Sequence, residues 1–145
     1  MRTFVALTVL ALLASGCTGT AVRQAGEPQP AAAPPTSVVG TWEFSVGGGK
    51  ATHSSTFALS DAPAETCLSG SWYQAQLISS DTQQVSRPAY RYEAGRLELL
   101  LSTELCDAYS SFIGSVTDIS FTGAYVSYGL FGSTEHGKVT GARRL

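Results

Sequence analysis

The chain has 145 residues, with nine lysines and arginines against eleven aspartates and glutamates, for a formal net charge of −2. This length allows one domain of ordinary size beside a leader and a tether, and not two. The acidic balance and the lack of a basic run argue against nucleic acid as a partner.

The N-terminus has the pattern of a secretory signal. Met1 and Arg2 precede residues 4–14, FVALTVLALLA, an uncharged apolar run too short to span a bilayer. The run leads into residues 14–17, ASGC, which resemble the lipobox of bacterial lipoproteins. An ordinary secreted protein cleaved after Gly16 is the alternative.

The lipobox resemblance implies a signal peptide over residues 1–16 and a lipidated Cys17. Two or more acyl chains on one cysteine hold a protein stably, since each buried methylene contributes about 0.8 kcal/mol. By the same resemblance, Thr18 after the cysteine favours the outer membrane, facing the periplasm or the cell surface. Localisation to the cell envelope is therefore expected.

Residues 17–37 follow as a tether. They hold four of the six prolines and no aromatic residue, so they cannot bury enough apolar area to fold. The domain is expected over residues 38–145.

Two cysteines remain in that domain, Cys67 and Cys106. In an oxidising envelope compartment they are expected to form a disulfide. A metal site would need more ligands nearby, and a transient redox pair would need a CxxC motif. No metal and no cofactor is predicted.

The domain is expected to be all-β, because eight runs alternate apolar and polar residues with period two. The runs cover residues 41–46, 55–60, 70–79, 89–93, 95–101, 115–121, 123–131 and 137–145. Turn signals separate them at residues 47–50, 60–65, 79–81, 93–95 and 131–137. Short strands at this spacing predict an antiparallel sandwich or an up-and-down barrel, and the count of about eight favours the barrel. A short helix within residues 103–112 is the one exception considered.

The first and last strands carry a second resemblance. Residues 40–42, GTW, and residues 142–144, ARR, are similar to the ends of the calycin barrels, the lipocalins and avidins. That resemblance implies that Trp42 closes the barrel floor, that Arg143 packs across its ring, and that Gly40 lets the chain turn tightly. Plain core burial of Trp42 is the alternative.

No catalytic residues are predicted. The segment VGGGKAT departs from the phosphate-binding loop pattern, and neither histidine lies in a known hydrolase motif. The surplus of aromatic residues suggests instead a surface for a ligand or a partner, because tyrosine suits pocket mouths and interfaces. The candidates are Trp72, Tyr90, Tyr92, Tyr125 and Tyr128; aromatic pairs that stabilise the barrel wall are the alternative.

Two functions, both non-enzymatic, are compatible with these patterns. One is a lipocalin-like barrel, anchored by Cys17, that binds a small apolar or amphiphilic ligand. The other is a protein-interaction module with a packed barrel, an inhibitor or an assembly accessory of the envelope.

Overall fold

A computed structural model describes residues 36–48, 51–81 and 85–145 of the chain. They form a closed antiparallel barrel in which each strand pairs with the next along the chain and the last pairs with the first. The strands are β1 (Gly40–Gly48), β2 (Ala51–Pro63), β3 (Tyr73–Ser80), β4 (Ala89–Glu93), β5 (Arg96–Leu100), β6 (Tyr109–Val116), β7 (Ser120–Gly129) and β8 (Gly132–Arg144). The prediction of an eight-stranded up-and-down barrel is confirmed.

The alternating pattern sets which side chains face inward. One alternating face of the predicted runs supplies residues that belong to the main buried cluster or pack against it. They are Trp42, Phe44, Val46, Phe57, Leu59, Tyr73, Ala75, Leu77, Tyr90, Tyr92, Leu97, Leu99, Leu101 and Val139.

Five aromatic rings fill the middle of the barrel. The ring centroid of Phe44 lies 5.3 to 6.3 Å from those of four others, all of them at most 1% exposed. The four are Trp42, Phe57, Phe112 and Phe121. Phe44 also lies against Gly141, its direct partner in β8, where an added Cβ would meet the ring at 2.9 Å. The lack of a side chain at Gly141 therefore leaves room for the ring of Phe44 on the neighbouring strand.

The short helix considered within residues 103–112 is wrong. Among the described residues there is no helix, and Tyr109 already begins β6. The loop between β5 and β6, which contains Cys106, is fixed by a disulfide to Cys67 in the β2–β3 connection. The predicted disulfide is thus confirmed.

Several strand boundaries also differ from the prediction. Residues 115–121 are not one strand; they contain the turn between β6 and β7, and β6 itself was not predicted. Residues 60–63 extend β2, and residues 132–137 begin β8, where turns were predicted. Trp72 precedes β3, and Phe131 lies in the turn between β7 and β8.

The barrel has two ends, which are distinguished by the direction of β1. The floor end is where β1 begins at Gly40, and it also carries the turns after β4 and β6. The rim end is where β1 ends, and it carries the turns after β1, β3, β5 and β7. The connection between β2 and β3 starts at the floor end and folds over the outer wall, where Trp72 packs on Ala89 and Leu100.

The predicted signal peptide, Cys17 and nearly all of the predicted tether lie outside the described residues. Only Thr36 and Ser37 of the tether are described. The part of the chain that is described contains no helix long and apolar enough to cross a membrane.

Candidate functional site

The floor of the barrel is closed by Trp42 and Arg143. The indole Nε1 of Trp42 donates a hydrogen bond to the carbonyl of Val38 at 2.8 Å. Arg143 lies directly opposite Trp42 in β8, with its Cζ 5.9 Å from the ring centroid, and its Nη2 donates to the carbonyl of Val39. This distance is within the range of a cation–π contact. These side chains and the segment before β1 cover the floor end.

Gly40 is needed at this floor for two reasons. Its φ is +135°, a conformation that other residues rarely adopt, and an added Cβ would lie 3.2 Å from Nε of Arg143. A side chain at this position would strain the backbone and displace the guanidinium from Trp42.

The five candidate aromatic residues do not form one surface. Tyr90, Tyr92 and Tyr125 belong to the interior or pack against it. Trp72 and Tyr128 lie outside the wall, where Trp72 is 4% exposed beneath the β2–β3 connection. The structure therefore separates the predicted site into an inner and an outer group.

Within the inner group, Tyr90 is the most constrained. It is 3% exposed, and its hydroxyl donates to the carbonyl of Ser60 at 2.9 Å. Burial, followed by the nearby Tyr73 and Asp61, raises the pKa of Tyr90 to about 12. Burial also raises the pKa of Tyr92, with a smaller contribution from Asp118. Tyr90, buried and hydrogen-bonded to a main-chain carbonyl, therefore stays protonated at neutral pH and contributes to packing.

Tyr125 links the interior to the rim end. Its ring packs edge-on against Phe112 at 5.7 Å and lies 5.0 Å from the ring of His136. The Oγ of Ser127 is 2.7 Å from Nε2 of His136. This Ser–His pair lies at the surface, and none of the described carboxylates hydrogen-bonds to the other nitrogen of His136, so the described residues do not supply the orienting group of a hydrolase triad.

On the outer wall, Trp72 belongs to a cluster around the buried carboxylate of Glu98. Glu98 has a side chain only 7% exposed, and it accepts hydrogen bonds from Nε of Arg91 at 2.7 Å and from Oγ of Ser111 at 3.2 Å. The guanidinium of Arg91 also lies over the ring of Trp72, 5.2 Å from its centroid. Trp72, Arg91, Glu98 and Ser111 thus join the β2–β3 connection to β4, β5 and β6.

Tyr128 stacks on Tyr109 beside this cluster, with the ring centroids 4.7 Å apart. The pKa of Tyr128 is raised, first by burial and then by the negative charge of Glu98. Trp72 and Tyr128 therefore take part in packing and stacking on the wall, as in the alternative considered for the aromatic residues.

Two cavities bear on ligand binding, one on the outer wall and one at the floor end, the latter lined partly by residues of the interior cluster. One of about 420 Å³ is lined by the β4–β5 hairpin, through Arg91, Glu93, Ala94, Arg96 and Glu98. Another of about 240 Å³ lies at the floor end, beside Val38, Tyr73, Tyr90 and Tyr92. Neither is lined by the five central rings. Within the described residues, no group of three or more His, Cys, Asp or Glu side chains could hold a metal ion.

Two features of the surface were missed by the sequence reasoning. The Arg91–Glu98 pair was not predicted, because a charge in an alternating strand normally faces water. Leu130 and Phe131 were taken as part of a strand, yet they form an exposed turn, 78% and 104% exposed. Two flanking glycines, Gly129 and Gly132, were the available signal.

No protein family, curated protein or solved structure matches the chain.

Proposed function

We propose that this chain is a non-enzymatic lipoprotein of the bacterial envelope, anchored through Cys17, that works as a protein-interaction module. The observation that carries this proposal is the filled interior. Phe44 and the four rings around it occupy the middle of the barrel, where a lipocalin-like protein would hold its ligand. A ligand of ordinary size needs about 300 Å³ or more, so several fully buried rings would have to move to admit it.

The surface best suited to a partner is formed by the two loops that the disulfide joins. Cys67 lies in the β2–β3 connection and Cys106 in the β5–β6 loop, with their Cα atoms 5.5 Å apart. Leu105, next to Cys106, is 57% exposed. A loop already fixed by a disulfide loses little conformational entropy on binding, which favours affinity.

Crosslinking in the native cells tests this proposal. A photoreactive amino acid replaces Leu105 in one variant and Ile78 in the control, a β3 residue of nearly the same exposure at 56%. We expect a reproducible protein adduct at position 105 and none at position 78. Adducts at both positions or at neither contradict a partner surface at these loops.

Displacement of a fluorescent fatty acid tests the alternative ligand function on the purified full-length chain. The filled interior predicts no saturable binding. Saturable binding that weakens when Phe57 is replaced by tryptophan, which would crowd the interior, favours a ligand-binding barrel and contradicts the proposed module.

A further inference from the structure

The hairpin of β7 and β8 extends beyond the rest of the barrel at the rim end. β8 pairs with β1 only from Lys138 onward, and β7 pairs with β6 only as far as Tyr128. Residues 132–137 of β8 therefore have no partner among the described residues of β1, whereas β7 stays paired with β6 as far as Tyr128, so only the turn at residues 129–132 passes beyond both neighbouring strands. The end of the hairpin, residues 126–135, is called the arm. From Lys138 to the turn at Gly132 the chain rises by roughly 20 Å, at about 3.3 Å per residue.

The tip of the arm carries Leu130 and Phe131 in open space. An added Cβ at Gly129 or Gly132 would meet no atom within 4 Å, so no other part of the described chain covers the tip. Gly132 has a φ of +127°, a conformation that other residues rarely adopt. Because the glycine takes this conformation in the turn, the two tip positions can carry bulky side chains. The most apolar residues of the hairpin thus stand farthest from the core.

The hairpin itself carries no charge close to its tip. The sequence has no charged residue between Asp118 and Glu135. Immediately behind the tip lies the stacked pair of Tyr109 and Tyr128. Tyrosine rings are enriched at the level of lipid headgroups, where one end of the side chain is apolar and the other is wet.

The area of the tip argues for lipid over protein. A stable protein interface buries about 800 Å² on each partner, whereas two side chains such as Leu130 and Phe131 supply roughly 300 to 400 Å². Insertion into a bilayer requires no shape-complementary pocket, so a tip of this size suffices. Because residues 119–134 include no lysine or arginine, the insertion of Leu130 and Phe131 depends on apolar burial and not on anionic lipid.

We propose that the arm is a membrane-insertion element, in which Leu130 and Phe131 enter the acyl region of a bilayer and Tyr109 and Tyr128 lie at the headgroup level. This contact goes beyond the lipid on Cys17, and it involves the rim end, opposite the floor end where the N-terminal segment joins the barrel. Burial of each side chain favours the bilayer by about 10- to 100-fold. Two such side chains together contribute about 100- to 10,000-fold, less than one myristoyl chain, so the contact is reversible and becomes significant for a tethered domain at high effective concentration.

Depth-dependent quenching tests the insertion. The full-length chain is produced with its own N-terminal segment and reconstituted into phosphatidylcholine vesicles, with brominated acyl chains as the quencher. Phe131→Trp reports on the tip, and Ile119→Trp is the matched control, an exposed apolar residue (61%) in the β6–β7 turn at the floor end. The native Trp42 and Trp72 are buried in the protein and supply a constant background.

We expect the Phe131→Trp emission to shift to the blue and to be lost in brominated vesicles, while the Ile119→Trp emission stays unchanged. Adding Leu130→Ser to Phe131→Trp should lower the inserted population about 10- to 100-fold. Replacing part of the lipid with phosphatidylglycerol, or raising the salt concentration, should change the quenching of the Phe131→Trp emission only slightly.

Three results would overturn the proposal. They are no quenching at position 131, equal quenching at positions 131 and 119, and a blue shift at position 131 without quenching. The last would show that the tip is covered by protein, such as a second copy of the chain. Because the vesicles contain only lipid and this chain, the outcome is independent of any envelope protein that the loops around Leu105 bind.

Discussion

Arg143 and Arg144 are neighbours in β8, but alternation places them on opposite faces of the wall. Arg143 lies over the ring of Trp42 and donates to a main-chain carbonyl at the floor. Arg144 forms an ion pair with Glu43 on the outside, where the two side chains are 58% and 38% exposed. The same residue type therefore has a closing role at one position and a solvated role at the next.

We predict that Arg143→Ala lowers the free energy of unfolding by about 1 to 3 kcal/mol, because it removes a cation–π contact and leaves a carbonyl without its donor. Arg144→Ala is the matched control and should cost about 0.5 kcal/mol or less, as exposed ion pairs do. Chemical denaturation of both variants measures the difference. Equal losses would contradict a floor closed by Arg143.

Tyr90 makes the stability of the barrel depend on alkaline pH. Its pKa is raised from 10.0 to about 12 in the folded state, because burial disfavours the tyrosinate, and Tyr73 and Asp61 add to this. A raised pKa means that the stabilisation is complete below pH 10 and is lost as the pH rises through about 12.

We therefore predict a fall in stability between pH 10 and 12, on the order of 2 kcal/mol. Thermal unfolding followed across this window, with tyrosinate absorbance recorded in parallel, measures the effect. Tyr90→Phe should be less stable at neutral pH, since the Ser60 carbonyl loses its donor, and should show a smaller fall. A fall of the same size in that variant would assign the effect to other groups.

At the scale of the elements, the period-two pattern predicts most of the strands, but it did not predict the turn between β6 and β7. The turn between β6 and β7 has no glycine or proline to mark it. Its structure depends on Thr117 and Ser120, whose side-chain oxygens are 2.6 Å apart, and on the bond from the Thr117 amide to the Ser120 carbonyl at 2.8 Å. Such hydroxyl-based turns resemble strand sequence, which is why residues 115–121 were predicted as one strand.

The close approach of β6 and β7 is another property of the elements. Gly114 and Gly123 are direct partners across the ladder. A Cβ added at Gly123 would overlap the backbone carbonyl of Ile113, and one at Gly114 would overlap that of Thr122. The two strands can adopt this spacing only because both positions lack a side chain.

Gly123→Ala is predicted to destabilise the barrel at the upper end of the roughly 1 to 3 kcal/mol that overpacking costs, because backbone atoms on β6 cannot move aside as a side chain can. Thr122→Ala, at the adjacent outward and exposed position, is the control and should stay within about 0.5 kcal/mol of the parent. Urea unfolding of the pair measures both. A mild effect at Gly123 would show that β6 and β7 are not in such close contact.

At the scale of the whole molecule, the disulfide connects loops that belong to opposite ends of the barrel. Cys67 and Cys106 are separated by 39 positions in the sequence. The β2–β3 connection that carries Cys67 also supplies Trp72 to the outer cluster. The bond thus holds a covering segment against the outer wall.

Replacing both cysteines with serine is predicted to cost about 2 to 4 kcal/mol, as expected when a long loop is no longer closed. Because the covering segment loosens, the emission of Trp72 should also shift to the red in the folded state. Denaturant unfolding monitored by tryptophan fluorescence reports both quantities. An unchanged unfolding midpoint would contradict this role.

The function hypotheses also belong to this scale, and the sequence left them open for a physical reason. Tyrosines at positions such as Tyr90 and Tyr128 have the same local pattern, yet one faces the interior and the other the outer wall. Whether an aromatic side chain is accessible depends on what other strands and connections place over it. Composition alone therefore could not separate a ligand surface from packing.

The sequence by itself determined the all-β class, the strand count, the cysteine pair and seven of the strands approximately, because period two and residue chemistry act locally; β6 was not predicted. Only the tertiary structure decided the rest. Glu98 became a buried carboxylate paired with the half-exposed Arg91, whose guanidinium lies over Trp72 of the β2–β3 connection. Phe57, Phe112 and Phe121 meet Phe44 because barrel closure brings distant strands to one axis. Leu130 and Phe131 became an exposed tip because β8 is longer than its neighbour β1, a mismatch that appears only when the two strands are paired.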